Sequence, residues 1–414
     1  MEIEAFRLIE EAFERVDAGL PVDADSNPER AREAVSSLAD EGGYVSPVDD
    51  SDLAPRKVSF SSLGAWDDDP WDDATYGVDS STTQPMEYNN GLIANAAYAK
   101  IAATGDADPE IERKGTVEIT YYYKGDAEIP STLDESSEID VNITRLPESE
   151  IYETRRLEKT VSAVAQKNSE STHVLGNIDS IDSILFIDGP IYPTQVLRSL
   201  DFSENRAFSV ADVLRKIAER YVRVVEHQYE RGLPVVGIVK TSNSSTLIRS
   251  LEDKTDDEVL WNKDNQLIGE ALRDESSIDY IPYTPWFVEE KVVFDSGEAE
   301  VLSPVEDSLD YDIERYRRSF FYYRLPSLGT VMRADAPYMV VDTDEKRRKV
   351  RAKVLKEAAK KRDVPRAVMR ADKNSKITRE NRDKIKRAIS AGYYTDYNDD
   401  VRYETLDEDE GGLL

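Results

Sequence analysis

IDSILFIDGPIYP (181–193) is a short apolar run that stops on an aspartate, Asp188, followed by Gly189 and Pro190. A run of this length, bounded by turn residues, reads as a strand buried on both faces. TYGVDSST (75–82) ends the same way, with Val78 followed by Asp79 and Ser80. LPVVGIVKTSNS (233–244) is a second buried strand, closing on Lys240. Between the last two lies SVADVLRKIAERYVRVVEHQYERG (209–232), a helix with a glycine stop at Gly232.

Working outward, a helix is expected from about 149 to 169, with Leu157, Val161, Val164 and Ala165 on one face. GTVEITYYYKG (115–125) reads as a strand; NNGLIANAAYAKIAA (89–103) fits a strand or, being Ala-rich, a helix. Apolar strands alternating with amphipathic helices indicate an α/β fold: a mixed sheet with helices packed on it. Residues 1–45 read as N-terminal helices, 46–250 as the core, and 251–315 as an inserted acidic subdomain. Residues 316–395 supply a hairpin (319–325 with 330–335) and basic C-terminal helices, at about 343–362 and 364–390. Residues 396–414 form an acidic tail.

The chain has 414 residues, no cysteine and two histidines, His173 and His227. Thiolate metal sites and cysteine nucleophiles are excluded, and a histidine-rich zinc centre or Ser-His-Asp triad has almost no material. No stretch of 18 apolar residues is present, so neither a membrane span nor a secretory signal is expected and the cytoplasm is the expected location. Formal net charge is −31. Taken simply, that repels nucleic acid. Acid dispersed along the whole chain also suits a halophile, because a Debye length of about 3 Å at 1 M salt weakens surface repulsion. One block departs from the pattern: Lys346 to Arg387 holds 19 Lys and Arg against five Asp and Glu. It is either a solvated face paired to the acidic body or a contact surface for phosphates.

Asp79 and Asp188 are the informative pair, because the carboxyl ends of strands in an open sheet are where ligands bind. On neighbouring strands their carboxylates would repel unless a cation lay between them. All-oxygen ligation favours Mg²⁺ or Mn²⁺, the ions that carry phosphodiester hydrolysis at carboxylate sites.

GVDSS, a helix with RRLE, FIDGP, GIVKTSNS and a late Ala-Asp segment, in that order, resemble the NurA family of DNA nucleases over about Tyr76 to Ile377. The resemblance implies a ribonuclease H-like core and a metal-dependent nuclease. It also implies 5′–3′ exonuclease and single-strand endonuclease activity in resection of double-strand breaks, a homodimer, and a HerA-type hexameric translocase as partner. Residue by residue, Asp79, Glu158 and Asp188 would be metal-binding and catalytic, and Lys240 would act beside them. Arg333 sits where the family carries an arginine before an acidic residue and a proline. The departure is Asp372, where an Ala-His pair is expected; a carboxylate there can ligate metal but cannot replace an imidazole acid/base.

Arg347, Arg348, Arg351, Arg366 and Arg370 of the basic block, with Lys240 and Arg333, would guide DNA. Each has an ordinary reading beside it. Glu158 suits a surface pair with Arg155 or Arg156, Lys240 a strand cap, and Arg333 an ion pair with Asp335. His227 suits a helix C-terminus, and Tyr121, Tyr122 and Tyr123 suit sheet packing better than base stacking. Besides the nuclease reading stand a non-catalytic adaptor of the translocase and a hydrolase acting on RNA.

Overall fold

The computed structural model describes residues 27–39, 42–48, 53–63, 71, 74–125, 138–148, 154–205, 210–240, 242–254, 259–273, 279–325 and 329–398. Residues 1–26 of the expected N-terminal helices and residues 399–414 of the acidic tail fall outside these residues, and Asn27–Ser37 is helical (α1).

Eight strands carry the argument: β1 Ala74–Thr82, β2 Ile93–Gly105, β3 Gly115–Tyr122, β4 Ile139–Arg145, β5 Leu185–Asp188, β6 Val235–Val239, β7 Arg318–Leu325 and β8 Thr330–Pro337. In the sheet they lie in the order β4-β3-β2-β1-β5-β6-β8-β7. β2 runs antiparallel to β1, and β3 antiparallel to β2. β5 and β6 run parallel to β1, and β8 returns antiparallel to β6. The run β3-β2-β1-β5-β6, three antiparallel strands joined through the first to two parallel ones, is the strand order of a ribonuclease H-like core. The Ala-rich segment is therefore strand, not helix. Ala94, Ala96, Ala97, Ala99 and Ala102 are all buried there, in a strand covered on both faces by helices.

The helices used below are α2 Thr154–Gly176, α3 Thr194–Asn205, α4 Ala211–Glu230, α5 Thr246–Lys254, α6 Asp264–Ala271, α7 Asp344–Lys361, α8 Arg366–Ser375 and α9 Arg379–Tyr393. α2 packs on β1, β2 and β3, while α8 packs on β1 and β2. In α4, Leu214, Ile217, Ala218, Tyr221, Val222 and Val225 are buried at helical spacing. The helix ends as expected at Gly232, at φ 71°, with Gly232 N–H donating to Tyr229 O and Leu233 N–H to Gln228 O at 2.9 Å each.

α2 runs seven residues past its expected end. Serine hydroxyls compete with the amides for backbone carbonyls. Here Ser169 and Ser171 donate to the carbonyls of Gln166 and Lys167, at 2.8 and 2.7 Å, and the helix continues.

The basic helix α7 is anchored, not free. Thr343 caps it by accepting from Lys346 N, and Val350, Val354, Leu355 and Ala358 form the expected buried stripe. Lys353 is fully buried and donates to Trp71 O at 2.6 Å.

Candidate metal centre

β1 and β5 place their terminal aspartates side by side. Gly77 pairs with Phe186 and Val78 with Ile187, so Asp79 comes level with Asp188 across one parallel step. Side chains alternate across a strand, so Gly77 and Asp79 face α8 while Val78 and Ser80 face α2. Gly77 lets α8 come down on the sheet: a Cβ there would lie 2.4 Å from the carbonyl carbon of Ala367 and 2.6 Å from Val368 N. The approach brings Asp372, one helical turn further on, over the strand ends. Carboxylate oxygens of Asp79, Asp188 and Asp372 lie within 4.8 Å of one another, the only such acidic or histidine cluster among the described residues.

The end of β1 also fixes its neighbours. Ser375 donates to Asp79 Oδ2 at 3.2 Å, and Ser81 accepts from Ile377 N at 3.0 Å while bonding the Ser375 carbonyl. Ser80, on the other face, donates to Glu170 Oε2 at 3.0 Å. Glu170 is buried and also accepts from Tyr221 and from Lys167, the latter at 3.0 Å.

Burial, then the charges of Asp188 and Glu170, push the Asp79 carboxyl up to about 7. Asp188 is raised as well, chiefly by burial, against the opposing pull of Lys240. The Lys240 ammonium lies 2.6 Å from Asp188 Oδ2. Burial pulls its pKa down, but Asp188, Asp372 and Asp79 more than offset this and the net shift is upward. Lifted carboxyl pKa values mark acidic groups short of positive charge. The donor set, all oxygen and open on the Asp372 side, fits a hard divalent cation such as Mn²⁺ or Mg²⁺.

Of the residues expected from sequence, Asp79, Asp188, Asp372 and Lys240 therefore converge. Glu158 does not. It lies twelve residues before Glu170 on α2, about 18 Å along the helix, and Glu170 is the helix carboxylate that acts electrostatically on both aspartates. Reading the helix as ending at Ser169 hid Glu170. The face marked by Leu157, Val161 and Val164 carried no signal for it, since at 100° per residue Glu170 falls about 180° round the helix from Val161.

Three of the expected DNA contacts are engaged by partners within the protein. Arg333 is buried and held by Asp335 at 2.7 and 3.0 Å. Arg347 is buried, bonding the Val341 carbonyl at 2.9 Å and pairing with Asp344. Arg370 reaches Glu112 and the Ala103 carbonyl, at 2.6 and 2.8 Å, toward the far end of β1. Arg348 and Arg366 are exposed, and Arg351 lies over the Tyr283 ring at 5.2 Å. His173 is buried, its Nδ1 3.0 Å from Thr116 Oγ1, and His227 pairs with Asp179 at 3.1 Å.

No curated protein matches the sequence. Among solved structures, the NurA nuclease from Sulfolobus solfataricus is similar at 11% identity and TM-score 0.49, over 94% of this chain and 97% of that one. NurA bound to dAMP and manganese is similar at 12% identity and TM-score 0.43, over 94% and 96%. The sequence pattern of the NurA domain matches residues 73–377, roughly three-quarters of the chain and the whole of the segment that builds the carboxylate cluster. The chain belongs to the NurA family.

Proposed function

We propose that this member of the NurA family is a metal-dependent DNA nuclease whose Asp79, Asp188 and Asp372 hold Mn²⁺ or Mg²⁺. One observation carries the reading: three carboxylates from β1, β5 and α8 meet within 4.8 Å at the carboxyl ends of parallel strands. A divalent ion bound there supplies Lewis acidity toward a phosphoryl oxygen and a water of lowered pKa.

The chain's own residues do the rest. Asp79 and Asp188 are held rigid by the sheet, and Ser375 orients Asp79. Glu170 fixes Ser80 and, through it, the end of β1. Lys240 keeps positive charge beside Asp188, where a phosphate oxygen gains negative charge in the transition state. The exposed cations of the 346–387 block supply an approach surface for a polyanion on an otherwise acidic molecule.

The finer reading extends this to 5′–3′ exonuclease and single-strand endonuclease activity in break resection, as a homodimer beside a HerA-type translocase in a high-salt cytoplasm. Family membership and composition support it. No described helix is long and apolar enough to cross a membrane. The adaptor reading draws on Asp372 standing where a histidine is expected; with its carboxylate beside the other two, Asp372 completes an oxygen donor set instead.

The test is cleavage of labelled single- and double-stranded DNA and RNA in high salt with Mn²⁺, Mg²⁺ or EDTA. Metal-dependent DNA cleavage lost in Asp79→Ala and Asp188→Ala is expected. Cleavage retained in either variant, or unaffected by EDTA, overturns the proposal.

A further inference from the structure

A cavity of about 440 Å³ lies at the carboxyl end of β6, with a lining separate from the carboxylate cluster. Val239 and Pro190 line it; Val239 directly precedes Lys240, and Pro190 follows Asp188 by two residues. Since side chains alternate along a strand, Val239 faces this cavity while Lys240 faces the carboxylates. The two sites thus share one strand end.

The charge of the cavity is opposite to that of the protein. Arg198, Arg249, Lys291 and Arg318 line it against one acidic residue, Glu289, while Arg333 in the lining is already paired with Asp335, in a chain of net charge −31. Its floor is built and polar. Arg318, 5% exposed, donates to Glu289 Oε1 at 2.6 Å and to Thr194 Oγ1 at 3.3 Å, yet its Nε has no hydrogen-bond partner. Glu289 Oε2, equally buried, has none either. Unpaired buried polar atoms are costly and mark a place where a ligand or ordered water completes the network.

At the mouth, Arg198 and Arg249 are exposed. Ser244, in the loop after β6, and Thr246, at the start of α5, add hydroxyls 2.9 Å apart. The first amides of α5 are already taken by Asp264, so anion recognition falls to the arginines and hydroxyls. Val292, Val293 and Tyr44 form the apolar wall, and the volume suits one nucleotide and not a duplex.

We propose that this cavity binds the phosphate-bearing terminal nucleotide of the strand being cut, its neighbouring phosphodiester lying at Asp79, Asp188 and Asp372. The proposal rests on the nuclease reading above. It makes the protein sense a phosphorylated end: Arg198 and Arg249 contact the terminal phosphate, and Glu289 offers its free oxygen to a base or sugar donor.

The experiment measures anisotropy of labelled DNA trinucleotides bearing a 5′-phosphate, a 3′-phosphate or neither, with full-length protein in EDTA and with dAMP and inorganic phosphate as competitors. One phosphorylated probe should bind about tenfold or more tightly than the unphosphorylated one, and dAMP should compete. Arg198→Ala and Arg249→Ala, on exposed side chains, should each remove most of that preference. Arg249→Glu should abolish it at unchanged melting temperature. Equal affinity for all three probes, or a preference untouched by both arginine variants, overturns the proposal. Failure of the nuclease reading is separately visible, as cleavage persisting in Asp79→Ala.

Discussion

Gly77 on β1 and Ala367 on α8 approach so closely that a Cβ on the glycine would lie 2.4 Å from the Ala367 carbonyl carbon. The contact is backbone against backbone, so no flexible side chain can yield. Gly77→Ala must lift α8 from the sheet, and α8 carries Asp372 and Ser375, which meet Asp79. We expect a loss of about 1–3 kcal/mol in stability, the usual cost of overpacking, with weakened Mn²⁺ binding. Denaturant unfolding and metal titration check both. A variant of unchanged stability and affinity would show that α8 does not depend on this contact.

Glu170 sits behind the cluster, accepting from Ser80, Tyr221 and Lys167. Glu170→Gln keeps its shape and removes its charge. Mn²⁺ affinity should fall about 10–100-fold, the range seen when groups supporting metal ligands are changed. Glu158→Gln, about 18 Å along the same helix, should leave affinity within twofold. Calorimetric titration of the two variants side by side decides between these glutamates.

Lys240 neutralises Asp188 at 2.6 Å. In Lys240→Met the cleavage rate should drop about 100-fold or more, the scale of removing one charge-stabilising donor. Mn²⁺ should still bind, since a cation that opposed a second cation is gone. Single-turnover cleavage with bound metal measured in parallel checks this; loss of metal binding instead would make Lys240 a structural clamp.

His173, on α2, is buried against β3, its pKa lowered to about 3 by burial and then by Lys100 and Lys114. The folded protein keeps it neutral, while the unfolded chain takes up a proton near 6.5. The stability this gives is complete above about pH 6.5 and is lost as pH falls toward 3, by about 1.4 kcal/mol per pH unit. His173→Gln should therefore show a shallower loss of stability between pH 6 and pH 4 than the unmodified chain. Parallel slopes in urea unfolding at fixed salt would contradict it.

The two apolar strands ending in Asp79 and Asp188 were legible because their pattern is local: short apolar runs, each stopping on a carboxylate. Asp372 and Lys240 were legible through motif order. Glu170 was not, because it lies just past the expected helix end at 169, whereas Ser169 and Ser171 bond carbonyls within a helix that continues to Gly176. For Arg333 the pair with Asp335 was one of two readings, whereas the partners of Arg347 and Arg370 were not legible. A cluster of basic residues is visible in sequence, but the inward turn of particular side chains toward Asp335, the Val341 carbonyl or Glu112 is set by packing.

What most directly tests the convergence of β1 and β5 on one ion is Mn²⁺ titration, by calorimetry or by electron paramagnetic resonance of free Mn²⁺. It would use the unmodified chain, Asp79→Asn, Asp188→Asn and the double variant. If both aspartates ligate a common ion, each single change should lower affinity at least tenfold. The double change should then cost less than the two single losses combined, because sites sharing one interaction are not additive. Unchanged affinity in either single variant, or strictly additive losses, would place these carboxylates on separate tasks and contradict the account.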